Sequence, residues 1–140
     1  MKLIRNITLL LAFILMMAYM PLSAKNKVIP KSYMFGFVAS FNDSIVFFTD
    51  IQEVDSVWVS EKKGLLAGRS NYSYQLREFI SKNFNMPNRT CIVISDPSRK
   101  KVEKKYAKLK KMYVEKGANK YDVHFTNSSE FRFKTVNMGN

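Results

Sequence analysis

The chain has 140 residues but only one cysteine, one histidine and one tryptophan, with five glycines and 11 acidic residues against 23 basic ones. Each shortage closes off a class of protein. A single cysteine cannot form an internal disulfide. Cys91 and His124, the lone thiol and imidazole, cannot supply any standard zinc ligand set. The scarcity of acids leaves a formal net charge of +12. Hydrophobic residues make up 46% of the chain, enough for a packed core, so disorder does not explain the composition. The length suits one compact domain.

Residues 1–24 read as an export signal rather than as part of the fold. Lys2 and Arg5 precede an uncharged apolar run over 7–20, Pro21 breaks it, and Ser23 and Ala24 place small residues before Lys25. That layout is a secretory signal peptide cleaved after Ala24, which makes the protein exported, either periplasmic or secreted. The rival reading is a retained anchor, but the run is shorter than the roughly 20 residues a spanning helix needs. The mature chain then carries +10. It divides into a flexible basic lead-in over 25–32, one domain over 33–136 and a frayed tail over 137–140.

Hydrophobic patterning supplies the elements. Residues 33–41 and 44–49 read as a hairpin, with Asn42 and Asp43 at its turn. The stretch 51–60 is ambiguous and is read as a strand at 55–60. Tyr72, Leu76, Phe79, Ile80 and Phe84 mark one face of a helix over 72–84, capped by Ser70 or Asn71. The apolar run over 90–95 reads as a strand central in its sheet. Asp96 as cap and Pro97 at the first helical position open a second helix over 97–116, with Val102, Tyr106, Leu109 and Tyr113 as its buried stripe. Alternation gives strands at 121–125 and 131–135. The expected fold is α+β, a single small two-layer domain. Its sheet is mixed and mostly antiparallel with two helices on one face, in the order ββ(β)αβαββ.

The second helix holds the abnormal surface. Residues 97–120 contain ten basic residues and two acidic ones, a local charge of +8. Lys100 and Lys104, Lys101 and Lys105, and Lys104 and Lys108 are like-charge pairs at i,i+4, each costing about 0.2–0.5 kcal/mol at low salt. Arg99, Lys100 and Lys101 also stand at the end of the helix where the dipole favours anions. The plain alternative is a solvated face that keeps the protein soluble. The functional reading is a partner-binding surface made of Arg99, Lys100, Lys101, Lys104, Lys105, Lys108 and Lys111. Its partner would be an anionic glycan, an anionic lipid surface or an acidic protein. Nucleic acid fits poorly, because the chain leaves the cytoplasm and Tyr106 and Tyr113 lie on the buried stripe rather than free to stack on bases.

The remaining patterns carry little chemistry. Residues 64–70 place two glycines before Arg69 and Ser70, but a phosphate loop needs four intervening residues and a lysine. Cys91 lies among apolar neighbours that cannot activate a thiolate, and His124 alternates to the solvent face. Asp50, Glu53 and Asp55 lack the glycine turn of a calcium loop. Asn42, Asn71, Asn88 and Asn127 each begin an Asn-x-Ser/Thr triplet, which is also ordinary turn chemistry. No catalytic, cofactor or metal site is assigned. The expectation is a small exported, non-catalytic binding domain. The alternative is an accessory subunit that docks through an apolar sheet face. An enzyme, the least favoured reading, would require distant groups such as Asp50, His124 and Arg132 to converge on a cleft.

Overall fold

One long strand organises the chain in a computed structural model that describes Asn6, Thr8 and residues 25–139. Strand β1 (Asn26–Ala39) pairs antiparallel with β2 (Ile45–Thr49) and β3 (Gln52–Ser60) on one side and with β4 (Thr90–Asp96) on the other. Strand β5 (Asp122–Thr126) joins β2 in parallel. Helix α1 (Arg69–Phe84) links β3 to β4. Helix α2 (Arg99–Lys110), prolonged by a π-helical turn at Lys111–Glu115, links β4 to β5. The result is a single α+β domain with a mixed, mostly antiparallel five-stranded sheet and two helices. The rest of the segment expected to be an export signal lies outside the described residues.

β2 and β3 act as one strand with a bulge. Phe37 faces Phe48 and Met34 faces Gln52, so Phe35 and Gly36 of β1 oppose Thr49, Asp50 and Ile51. The extra residue bends the strand, and Thr49 Oγ1 accepts the Gly36 N–H at 2.8 Å within the bulge. A Cβ at Gly36 would overlap Leu76 Cδ2, so the glycine lets α1 approach the sheet.

Four expectations need correction. First, the helices lie on opposite faces of the sheet, not on one. Tyr72, Leu76 and Ile80 of α1 pack with Met34, Val38, Phe47 and Val93, whereas Val102 and Tyr106 of α2 pack with Phe35, Phe37, Val46 and Phe48. Strand order explains this. α1 carries the chain across β1 to β4, and α2 carries it back to β5. Both join parallel strands, and such crossovers are right-handed in roughly 98% of cases. Reversing the direction of travel therefore reverses the face, and three layers result.

Second, residues 26–32 are not a flexible lead-in but the first half of β1, paired with β3 from Asn26–Ser60 onward. Lys27, Val28, Pro30 and Lys31 are exposed, while Ile29 packs against the core and Ser32 is buried, and Val54, Val57 and Val59 of β3 supply the buried apolar residues of this ribbon. The ladder skips Pro30, which has no N–H to give, and Ser56 opposite it takes a positive φ of 53°.

Third, β4 is an edge strand, paired with β1 alone among the described residues. Fourth, residues 131–135 are extended but join no ladder, and residues 137–139, expected to fray with the rest of the tail, lie on the body. Phe131 and Phe133 are buried, Val136 packs against the core, and Gly139 reaches the Trp58 ring. The helix caps also shift. Gly68, left-handed and without a side-chain bond, starts α1, and Ser98 rather than Asp96 caps α2. No helix among the described residues is long and apolar enough to cross a membrane.

Candidate functional site

The rotation of α2 is set by its apolar stripe. Val102 is fully buried, and Tyr106 and Tyr113 press their rings on Phe35 and Phe37, with centroids 5.0 and 4.8 Å apart. At 100° per residue this turns Lys100, Lys104 and Lys111 to the crest and Lys101, Lys105 and Lys108 to one flank. All seven candidate residues are exposed, as sequence reasoning places them. The start of the helix is closed by two short contacts: Asp96 Oδ1 accepts the Ser98 N–H at 2.8 Å, and Ser98 Oγ accepts the Lys101 N–H at 3.5 Å. No acidic residue occupies its first turn.

Charge on this helix goes largely unanswered. Among the described residues, Arg99 alone of the seven forms an ion pair, with Glu103 Oε1 at 3.0 Å, and its guanidinium also lies over the Tyr33 ring. Lys110, outside the candidate set, sits 5.4 Å from the centroid of Phe125 on β5. Glu103 is therefore taken up by Arg99, and the six lysines face water as a group. Lys105 departs from the rest. It lines a hollow of about 170 Å³ at the end of β4 together with Lys63, Arg69, Ser95 and Asp96.

A second, larger hollow of about 580 Å³ runs between α1 and the start of β4. Arg69, Ser73 and Arg77 form one wall at i,i+4,i+8 spacing, and Arg89, Thr90 and Cys91 form the other. Sequence reasoning missed it, because its two walls come from different segments, α1 and the start of β4. Only the Arg69–Ser73–Arg77 spacing could have hinted at a basic flank. Arg77 Nη2 donates to Asn88 Oδ1 at 3.2 Å, and no carboxylate among the described residues pairs with Arg69 or Arg77.

Arg89 differs in kind. It is only 6% exposed and grips Asp43 with both terminal nitrogens, at 2.8 and 2.6 Å, while Nη2 also donates to the Ile45 carbonyl. The hydrogen bonds from Arg89, then that from the Ile45 N–H, pull the Asp43 carboxyl down from 3.8 to about 2. This fork ties the β1–β2 turn to the start of β4. Arg89 Nε is buried with no hydrogen-bond partner.

The catalytic candidates do not assemble. Burial pushes the Cys91 thiol up to about 11, so the nucleophilic thiolate is disfavoured despite Arg77 and Arg89 nearby. His124 Nε2 pairs with Asp122 at 3.0 Å on the exposed strand face. Asp50 accepts from Gln52 Nε2 and from the Ser128 N–H. Asp50, His124 and Arg132 line neither hollow. Among the described residues no three of His, Cys, Asp and Glu gather as metal ligands would. Two of the Asn-x-Ser/Thr asparagines serve as turn residues. Asn127 Oδ1 accepts the Ser129 and Glu130 N–H groups, and Asn88 adopts φ 63° beside Arg77.

Comparison with protein-family models, curated proteins and solved structures finds no match to this chain. The site must therefore be read from its own chemistry.

Proposed function

We propose that this chain is an exported, non-catalytic binding domain whose α2 face docks on an anionic partner at the cell envelope or outside the cell. One observation carries the reading: six lysines stand exposed on one helix with no acid among the described residues paired to them. Their mutual repulsion costs stability at low salt, and a polyanion relieves it. Glycan, lipid headgroup and acidic protein share that chemistry. Docking through an apolar sheet face has less support, because each face of the sheet already carries a helix.

The test replaces Lys100, Lys104, Lys108 and Lys111 together by Gln and measures binding to heparin and to vesicles containing anionic lipid across a salt series. The parent should bind with a steep salt dependence, and the variant should bind weakly with a shallow one. Equal, salt-insensitive binding by both proteins would refute the proposal.

A further inference from the structure

Strand β4 has the composition of an interior strand but lies at an edge. Residues 90–95, Thr-Cys-Ile-Val-Ile-Ser, carry no charge, proline or glycine, and β4 pairs with β1 through all seven positions without a bulge. In an antiparallel ladder alternate residues turn their N–H and C=O groups away from the partner, so the outer side of β4 offers a regular row of unpaired groups. Exposed edges are usually blunted by lysine, proline, a bulge or a covering segment. β5 is short and carries the Asp122–His124 pair, and β3 is covered by residues 131–139. β4 has none of these guards among the described residues.

The basic groups follow this edge. The larger hollow opens at Thr90 and Cys91 and the smaller at Ser95 and Asp96, and Arg69 lines both. Arg77 stands at one end and Lys63 and Lys105 at the other, none paired with an acid among the described residues. The one carboxylate on the track, Asp96, is engaged with the Ser98 N–H. Side chains alternate across β4. Cys91 and Val93 lie on the α1 side beneath the arginines, and Ile92, 48% exposed, lies on the α2 side with Ile94.

We infer that the open edge of β4 is a binding site for an extended acidic peptide, which adds to the sheet as a further strand. The peptide's backbone completes the ladder. Its acidic side chains, at alternate positions, face Arg69 and Arg77, and the intervening apolar ones cover Ile92. A second copy of this chain is the wrong occupant, because edge-to-edge pairing would bring Arg69, Arg77 and Lys105 of the two copies together. The site is separate from the crest of α2, and Lys105, on the flank, is the one residue it shares with the seven candidate residues of that helix.

The probe is a blocked seven-residue peptide alternating Glu and Val, with binding followed by amide hydrogen exchange and by NMR shifts of β4. The peptide should slow exchange at alternate β4 amides. Substituting Arg69→Gln and Arg77→Gln together should weaken binding by about tenfold or more, which is about 1.4 kcal/mol. A central proline in the peptide should abolish binding by removing a ladder donor, and a peptide with Lys for Glu should not bind. The quadruple Gln variant of α2 at Lys100, Lys104, Lys108 and Lys111 should keep affinity within about threefold, so failure here is distinguishable from failure of the α2 reading. Absence of binding, or equal binding by the proline peptide, overturns the inference. Protection of β4 that grows with protein concentration without peptide also overturns it, in favour of self-association.

Discussion

The two long edges of the sheet are treated in opposite ways. Beside β3 the chain lays down its own last segment and fastens it with side chains in place of a ladder. Gln52, only 3% exposed, donates through Nε2 to the Phe131 carbonyl at 2.8 Å and accepts the Phe133 N–H through Oε1 at 2.9 Å. Gln75 on α1 repeats the device on Lys134, and the Tyr72 hydroxyl accepts the Val136 N–H. A carboxamide has the donor and acceptor of a peptide group, so each glutamine stands in for a strand neighbour. Beside β4 no segment among the described residues does the same, although the strand pairs without interruption and is more apolar. Edge closure is therefore within the means of this fold, and its omission at β4, where the basic groups collect, is what marks that edge as a surface for another chain.

The sharpest way to break this comparison is to make the same kind of truncation at both edges. Phe133 is 5% exposed and packs edge-on against Phe131, with centroids 4.9 Å apart, and against Tyr72. Phe133→Ala should cost about 3–5 kcal/mol in denaturant unfolding, through lost burial and the cavity left behind. Ile92→Ala, at the open edge, should stay within about 0.5 kcal/mol. Comparable losses at both positions would mean that β4 is covered in solution.

Sequence alone reached the element types around these edges more readily than their arrangement. The α2 stripe of Val102, Tyr106, Leu109 and Tyr113 could be read because 3.6-residue spacing is a local signal. Phe131 and Phe133 were likewise readable as inward-facing, since alternation persists even where no ladder forms. What could not be read were the choices made by distant partners. Residues 90–95 look the same whether one or two strands flank them, so their edge position is invisible. The face taken by each helix follows from that missing strand order. The stretch 26–32 resembled a linker because only Ile29 and Ser32 turn towards the core, while the apolar residues of this ribbon, Val54, Val57 and Val59, come from its partner strand β3. The α2 lysines were found because they are consecutive in sequence, whereas Arg69, Arg77 and Arg89 meet only once α1 and β4 are packed.

A smaller effect should follow at the foot of β4, where Arg89 anchors the strand to the β1–β2 turn. Folding lowers the Asp43 pKa from 3.8 to about 2, chiefly through the Arg89 hydrogen bonds. A carboxylate with a depressed pKa contributes stability that is fully present above its unfolded value and is lost as pH falls through the folded one. The fork should therefore hold at neutral pH and weaken from about pH 4 down to about pH 2. Asp43→Asn should be less stable than the parent at neutral pH, with the gap narrowing over that acid window. Unfolding midpoints measured for both proteins across the window check this. The exchange rates of the Thr90 and Cys91 amides should report the loosening locally, with no matching change along the covered edge at Phe133. A gap independent of pH would assign the loss to packing rather than to the ion pair.

The smallest effect concerns Lys105, where the basic helix and the open edge meet. It lies four residues after Lys101 and three before Lys108, and it shares the end of β4 with Lys63 and Arg69. If the lysine served only the helix, replacing it by an acid would bring no benefit. Its surroundings imply the opposite. Lys105→Glu turns two like-charge pairs on α2 into attractive ones, each worth about 0.2–0.5 kcal/mol at low salt. The variant should therefore be more stable than the parent by about 0.5 kcal/mol, and the gain should fade as salt screens exposed charges. Its new carboxylate would meanwhile neutralise one end of the basic track and weaken the acidic peptide. Stability up and binding down in one substitution means that the lysine is held against the interest of the fold. A variant that loses stability at low salt would instead place Lys105 among the groups that hold α2 to the sheet, and the basic rim of the open edge would then shrink to Lys63, Arg69 and Arg77.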